Sequence, residues 1–274
     1  MPYATINGVK LNYELHGDSG EPLVLVHGYT GDITDWRHQL PVFSQSHRVL
    51  IVDSRGHGQS EGPADRSQYT VDHIADDVEA LVDEVGFDRY HLLGHSMGGA
   101  VVQEIALRGA ARLLSLTLHD TSDGFDKAFM NPAVTAWRDY RFKTAEEQGM
   151  EAVAKMDNPF PPPPHMPKER LEETRIRLSK MPIDSFIGAW HGLTDWQGTH
   201  GRAQGITTPT LVIYGDMDAG FLIEASKRLV AAIPNAEEAV VPEAGHSPQY
   251  ERPPLFNEAL AGFLERVSAA TPTH

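Results

Sequence analysis

The sequence predicts an α/β protein whose mostly parallel sheet is flanked by helices and interrupted by one helical insertion. Short, almost wholly apolar runs, typical of strands buried on both faces, alternate with longer segments that carry apolar residues at helical spacing. This alternation stops at about residue 124 and resumes after residue 205. Since a structureless loop of that length is uncommon in a compact domain, we expect a helical cap at 124–205.

The predicted sheet begins with a hairpin. In residues 5–15, Asn7-Gly8 supplies a tight turn between flanks that alternate in polarity. The later strands are identified by short apolar runs that end at glycine, histidine or acidic residues. They are predicted at residues 22–26, 48–52, 90–93, 113–118, 209–216 and 239–242.

Helices are predicted between these strands. In residues 70–82 the apolar positions are 71, 74, 78, 81 and 82, and Thr70 is suited to cap the first turn. Further helices are predicted at residues 35–43, 100–107 and about 254–267. Within the cap, four consecutive prolines at 161–164 predict a rigid loop.

The composition excludes some classes of function. The 274 residues include 38 acidic and 23 basic ones, for a net charge of −15, which disfavours nucleic acid and anionic membranes as partners. No cysteine is present, so disulfides and cysteine chemistry are excluded. The first residues lack the basic start and apolar run of a signal peptide, and no stretch is apolar for long enough to span a bilayer. We therefore expect a cytoplasmic protein.

The most informative motif is Gly94-His95-Ser96-Met97-Gly98, a G-x-S-x-G sequence. It lies between a predicted strand and a predicted helix, which is the setting of a nucleophile elbow. The glycines remove Cβ atoms where strand and helix approach each other, so that Ser96 can adopt a strained backbone conformation. This context predicts a nucleophilic serine.

A candidate acid and a candidate histidine follow the elbow in the sequence. The strand at 209–216 leads into Asp218, and His246 lies on a glycine-containing loop after the last strand. His246 would take the proton of Ser96, and Asp218 would stabilise the resulting imidazolium. Asp216 and Asp120, which also follow strands, are alternative acids.

The loop after the first buried strand supplies the remaining part of a serine hydrolase. There His27-Gly28-Tyr29 follows the strand, and we expect the backbone amide of Tyr29 to face that of Met97. Two fixed N–H donors of this kind are what a tetrahedral oxyanion requires.

These motifs together resemble the α/β-hydrolase superfamily, in the form that carries a cap inserted before the acid-bearing strand. The resemblance implies an α/β-hydrolase core at 1–123 and 206–274 with the cap at 124–205, and no cofactor. It extends from about residue 5 to residue 267. The residues that carry it are His27-Gly28, 53–60, 94–99, 215–218, 244–246 and 251–253.

The resemblance also separates the candidate acids and histidines. In the family the acid lies three residues after the glycine that ends the strand, which selects Asp218 and leaves Asp216 to brace the turn. Most of the 14 histidines are then structural. His27 is expected to hydrogen-bond the oxyanion loop and His95 to brace the elbow. No histidine and carboxylate spacing indicates a metal, so none is expected.

Two smaller expectations concern the turn at 53–60 and the cap. Asp53 and Arg55 are expected to pair and fix the turn. The cap is rich in aromatic residues, most of which should form its own core. Some should face the substrate, and the candidates are Trp137, Trp190 and Trp196.

The identity of the nucleophile narrows the reaction. Haloalkane dehalogenases and epoxide hydrolases resemble this chain but use aspartate, so Ser96 indicates acyl transfer to water, with a small-molecule ester or lactone as substrate. The motifs are similar to those of small carboxylesterases and of enol-lactone and homoserine-lactone hydrolases. The alternative is a C–C bond hydrolase of vinylogous diketones, which shares the triad and the cap. A small-molecule receptor on the same fold is a further alternative, and no oligomeric state is predicted.

Overall fold

Eight strands form one sheet in the computed structural model, which describes residues 2–125, 132–156 and 165–270. The strand order is β1-β2-β4-β3-β5-β6-β7-β8. β1 and β2 form the predicted hairpin, β2 pairs antiparallel with β4, and the other pairs are parallel. The strands are β1 (Tyr3–Ile6), β2 (Val9–His16), β3 (Pro22–Val26), β4 (Arg48–Val52), β5 (Tyr90–His95), β6 (Leu113–His119), β7 (Thr210–Gly215) and β8 (Ala236–Val241).

The helices lie between and after the strands. No helix within the described ranges is long and apolar enough to cross a membrane. The helices are α1 (Leu40–Phe43), α2 (Val71–Glu84), α3 (Met97–Gly109), α4 (Pro132–Gln148), α5 (Met150–Ala154), α6 (Lys168–Lys180), α7 (Ile183–Thr194), α8 (Gly220–Ala232), α9 (Pro248–Glu251) and α10 (Pro253–Ala270).

The structure corrects two predicted elements and adds a helix that was not predicted. The helix expected at 35–43 is a 3-10 turn, Ile33–Trp36, followed by the single-turn α1, in which Pro41 occupies the first turn. Proline is tolerated there but not inside a helix that continues from residue 35. The last strand begins at Ala236, earlier than predicted. The sequence pattern missed this start, because exposed glutamates interrupt the apolar residues of this edge strand. Helix α8 was not predicted, although three buried residues at helical spacing mark its inner face: Leu222, Ala225 and Leu229.

Both faces of the sheet are covered by helices. In β3, Leu23 and Leu25 face the helix α10, where they join Phe263 in one apolar cluster. Val24 and Val26 point the other way, into the larger cluster that includes α2, α3 and α8. Every residue of β3 is therefore buried, as expected of a central parallel strand.

Strand register brings the ends of the central strands together. His95 pairs with His119 across β5 and β6, and His119 pairs with Ile213 of β7. Since these strands are parallel, their carboxyl ends and the loops that follow lie at one edge of the sheet. This is the edge where open α/β sheets bind their ligands.

Among the described residues, four helices, α4 to α7, lie between β6 and β7, where the sequence predicts the cap. They have a separate apolar cluster that includes Met150, Val153 and Phe186. The limits of the cap at 124 and 205 stay a prediction, and the proline run at 161–164 lies outside the described residues.

The cap is tied to the core by a buried ionic cluster. Arg170 and Arg177 of α6 both contact the carboxylate of Asp35, and the Arg177 Nη1–Asp35 Oδ1 distance is 2.7 Å. The Asp35 side chain is only 5% exposed. Burial alone would raise the pKa of Asp35, but the charges of Arg177 and Arg170 overcome this effect and hold its pKa well below the usual range. The cluster therefore stays ionised at neutral pH.

We predict that Asp35→Asn destabilises the fold. The substitution leaves two largely buried guanidinium groups without their shared carboxylate, and breaking a buried pair in this way costs about 3–5 kcal/mol. Urea unfolding would measure the loss in the free energy of unfolding. The matched control is Glu224→Gln, which breaks the exposed pair with Lys227 (3.0 Å) and should change that free energy by less than about 1 kcal/mol. Equal effects of the two substitutions would contradict the prediction.

Candidate active site

Ser96 lies on a tight turn between β5 and α3. Its φ is 53° and its ψ is −112°, a conformation that costs energy for a residue with a side chain. A Cβ atom at Gly94 would lie 2.2 Å from the carbonyl oxygen of Gly98, and one at Gly98 would lie 2.3 Å from the carbonyl oxygen of Val26. Both positions therefore require glycine. Because neither residue has a side chain, the turn can be tight enough to place the Ser96 hydroxyl above the sheet.

The structure brings Ser96, His246 and Asp218 together in one chain of hydrogen bonds. His246 Nε2 accepts from Ser96 Oγ at 3.0 Å, and His246 Nδ1 donates to Asp218 Oδ2 at 2.9 Å. The Asp218 side chain is 4% exposed and that of His246 is 40% exposed. Asp216 is exposed, and its backbone amide bonds Val241. The geometry thus sets Asp218, rather than Asp216, against the histidine.

Asp218 and His246 stabilise each other's charged forms. Burial opposes the charged form of both groups, yet Asp218 raises the pKa of His246 above its usual value, and His246 lowers that of Asp218. The arrangement therefore stabilises an imidazolium at position 246. A histidine in this setting can take a proton from Ser96 Oγ and hold it.

A second carboxyl group, that of Asp120, lies beside the pair. Asp120 follows β6, has a φ of 42°, is fully buried, and accepts a hydrogen bond from the Gly215 amide at 3.1 Å. Burial and the charge of Asp218 raise the pKa of Asp120 well above its usual range, because two buried carboxylates so close cannot both ionise. The negative charge is therefore favoured on Asp218 over Asp120, the alternative acid of the sequence analysis.

The same three side chains are the site that could be considered for a metal. In the part of the chain that the structure describes, Asp120, Asp218 and His246 are the group whose ligand atoms come within 4.8 Å of one another. However, Asp218 already accepts from His246 and from the Ala219 amide at 2.7 Å, and Asp120 accepts from Gly215. The hydrogen bonds account for the cluster without an ion.

The histidine loop is held on both sides of His246. The Glu251 carboxylate accepts from the amides of Gly245 at 2.7 Å and Ser247 at 3.0 Å. His95 Nε2 donates to the carbonyl oxygen of His246 at 2.7 Å, so His95 braces this loop. Sequence reasoning did not assign a role to Glu251, although it belongs to the 251–253 motif.

The loop after β3 passes directly beside Ser96. A Cβ atom at Gly28 would lie 3.1 Å from Ser96 Cβ. His27 fixes the start of this loop: its Nδ1 donates to the Gly28 carbonyl oxygen at 2.8 Å, and its Nε2 accepts from the Ser54 amide at 3.0 Å. Both ring nitrogens are engaged, as expected of a structural histidine. The Met97 amide is the first N–H of α3 and has no acceptor within the helix.

The expected pairing of Asp53 with Arg55 is wrong. Arg55 forms a bidentate ion pair with Asp77 of α2, with N–O distances of 2.6 and 2.7 Å. Asp53 instead accepts from the backbone amides of Ile33 and Gln59 and from the side chain of Asn12. The two residues still fix the turn, but each does so through a partner that is distant in sequence.

The candidate cap tryptophans have different surroundings. The Trp190 ring lies 5.5 Å from that of Tyr29, in the loop beside Ser96, and Trp137 lies under the Arg141 guanidinium at 4.5 Å. Trp196 donates its indole N–H to Glu104 of α3 at 2.7 Å and packs near Phe125. These contacts pack Trp196 between the predicted cap and the core, and its expected role in lining the substrate pocket stays a prediction.

A cavity of about 550 Å³ lies next to the loop that carries Tyr29. Its walls come from the residues that follow Tyr29, from the turn after β4 and from α6. The lining residues include Thr30, Gly31, His57, Arg170 and Arg177, whereas the three triad residues lie outside it.

Comparison with known proteins agrees with the fold. A family model described as the alpha/beta hydrolase fold matches residues 21–253. The chain is 30% identical to the "Putative carbamate hydrolase RutD" of Variovorax paradoxus, with 95% of this chain and 98% of that protein covered. It is 28% identical to 2-hydroxy-6-oxononadienedioate/2-hydroxy-6-oxononatrienedioate hydrolase 2 of Pseudomonas putida, with 96% of each covered.

Among solved structures, the enol-lactonase from Burkholderia xenovorans LB400 superimposes with a TM-score of 0.83 at 28% identity. The match covers 96% of this chain and 100% of the enol-lactonase.

We predict that Asp218→Asn lowers the pKa of His246, because the substitution removes the carboxylate that stabilises the imidazolium. An NMR titration of the imidazole C–H resonances measures this pKa, and the spectrum of a His246→Gln protein assigns the resonance. Asp216→Asn is the matched control and should leave the pKa unchanged. A larger effect at position 216 would show that the wrong carboxylate had been chosen.

Proposed function

This chain belongs to the α/β-hydrolase family, and we propose that it is a serine hydrolase that cleaves carboxylic esters or lactones. The observation that carries the proposal is the hydrogen-bonded chain from Ser96 Oγ through His246 to the buried Asp218. A serine is a weak nucleophile until an adjacent base takes its proton, and this geometry supplies that base.

In the first half of the reaction, Ser96 Oγ attacks the carbonyl carbon while its proton passes to His246 Nε2. The negative charge of Asp218 stabilises the imidazolium that forms. The oxyanion of the tetrahedral intermediate would be bound by the backbone amides of Tyr29 and Met97. Each fixed donor of this kind contributes about 3 kcal/mol of transition-state stabilisation.

In the second half, His246 gives its proton to the leaving alkoxide, the C–O bond breaks, and an acyl group remains on Ser96. A water molecule then loses a proton to His246 and attacks the acyl carbon. The acid is released as the proton returns to Ser96. In a lactone the leaving alkoxide stays attached to the acyl group, so the product is a single hydroxy acid.

The substrate class is supported by the nucleophile and by the relatives. Ser96 favours acyl chemistry over the reactions of family members with an aspartate nucleophile. The enol-lactonase and the carbamate hydrolase have names that place their substrates among acyl compounds. The match to the Pseudomonas putida hydrolase, nearly full-length in both chains, favours C–C bond hydrolysis as the second candidate.

We predict that Ser96→Ala lowers ester or lactone hydrolysis by about 1,000-fold or more while the fold is kept, because the reaction loses its nucleophile. A screen would compare p-nitrophenyl esters of increasing acyl length, several lactones and a dienone-type C–C substrate. Ser179→Ala is the matched control, since this hydroxyl bonds only the carbonyl of Ile176 in its own helix.

The outcomes of the screen are distinct. Ester or lactone turnover that is lost in Ser96→Ala and kept in Ser179→Ala would support the proposal. Retained activity in Ser96→Ala would contradict it. Turnover of the C–C substrate alone would favour the second candidate.

A further inference from the structure

Arg141 of α4 occupies an unusual position in the cap. Its side chain is partly buried, and its guanidinium lies over two aromatic rings, 4.5 Å from the centre of the Trp137 ring and 4.9 Å from that of Phe186. Stacking of this kind engages the flat face of the guanidinium. It leaves the N–H groups at the edge of the group free to donate.

The charge of Arg141 has no counter-ion in the described parts of the chain. Within the described residues 132–156 and 165–205, every other arginine contacts a carboxylate. The pairs are Arg138 with Asp139, Arg170 and Arg177 with Asp35, Arg175 with Glu172, and Arg202 with Glu104. Buried charges in proteins are normally paired or bind a ligand, because removing an unpaired cation from water is costly.

Contacts connect Arg141 to the loop beside the nucleophile. The Phe186 ring under Arg141 stacks on the Tyr29 ring at 5.8 Å, and the Tyr29 hydroxyl donates to the Phe186 carbonyl oxygen at 2.7 Å. Tyr29 follows Gly28, which packs against Ser96. A chain of contacts through Phe186 and Tyr29 therefore links Arg141 to the loop beside Ser96.

Tyr29 cannot neutralise Arg141. Burial raises the pKa of the Tyr29 hydroxyl far above its usual range, so the group stays protonated and uncharged. Burial also lowers the pKa of the Arg141 guanidinium, which shows that its surroundings disfavour the charge. An anion that reaches this position would remove the mismatch.

We propose that Arg141 binds a carboxylate of the substrate, so that the preferred substrates are esters or lactones that carry a second, anionic carboxyl group away from the scissile carbonyl. The inference rests on the proposed function and names its substrate class. A guanidinium offers two parallel N–H donors that match a carboxylate, and such bidentate pairs are among the strong hydrogen bonds in proteins. The aromatic rings then pack along the chain between the two carboxyl groups.

The test compares p-nitrophenyl hydrogen adipate with its methyl ester at pH 7, where the distal carboxyl group of the first is ionised and that of the second is neutral. We expect Arg141→Gln to lower kcat/KM for the anionic ester by about 10- to 100-fold, mainly through KM, because a charge-assisted hydrogen bond is lost. Turnover of the neutral ester should change by less than about twofold. Arg141→Lys keeps the charge without the fork and should recover part of the loss.

Lys143→Gln is the matched control. It removes the same formal charge from the same helix, but the Lys143 side chain is 70% exposed, and neither substrate should be affected. If Arg141→Gln lowers turnover of both esters equally, Arg141 has only a structural role and the inference is wrong.

A binding measurement separates this inference from the proposed function. Monomethyl adipate should raise the melting temperature of the Ser96→Ala protein, and Arg141→Gln in that background should abolish the rise. This result would support the anion site even if neither ester is cleaved, in which case the proposed function alone fails. A rise that persists without Arg141, or no rise with either protein, would overturn the inference.

Discussion

The structure around the site depends on the close approach of β5 and α3 at Ser96. The turn between them holds Ser96 in a strained conformation. At Gly94 and Gly98 the neighbouring backbone lies so close that a side chain would not fit. Strain of this kind persists only where the surroundings fix it. Here the β5 and β6 pairing and the bond from the Ser96 amide to the carbonyl oxygen of His119 supply that support. The parallel register then delivers the acid and the histidine to the same edge of the sheet.

The electrostatics of the site follow from placing two carboxyl groups where only one can be charged. His246 stabilises the charge of Asp218 and lowers its pKa, whereas burial and the charge of Asp218 raise the pKa of Asp120. Glu251 adds a third carboxyl group, but its two oxygens accept from the backbone on either side of His246. Closely spaced acids thus have separate tasks, set by their burial and by their partners.

The cap shows the same principle for arginine. Arg170 and Arg177 are buried against Asp35 and tie the cap to the core, whereas Arg141 lies over aromatic rings with no carboxylate in the described parts of the chain. The net charge of −15 would repel an anionic substrate at long range. That repulsion is screened by salt over about 10 Å, so a local pair with Arg141 would still determine which substrates bind.

The sequence by itself determined the α/β fold, the elbow at Ser96 and the candidates Asp218 and His246. These features depend on local patterns, namely apolar periodicity, the glycines around a serine and polar residues at strand ends. Only the tertiary structure decided which side chains meet: Arg55 with Asp77, Trp196 with Glu104, Asp120 with Asp218, and Arg141 with aromatic rings instead of an acid. The physical reason is that a local pattern fixes the direction of a side chain along its own element. The partner that the side chain finds depends on how distant elements pack, and no spacing within the chain encodes that directly.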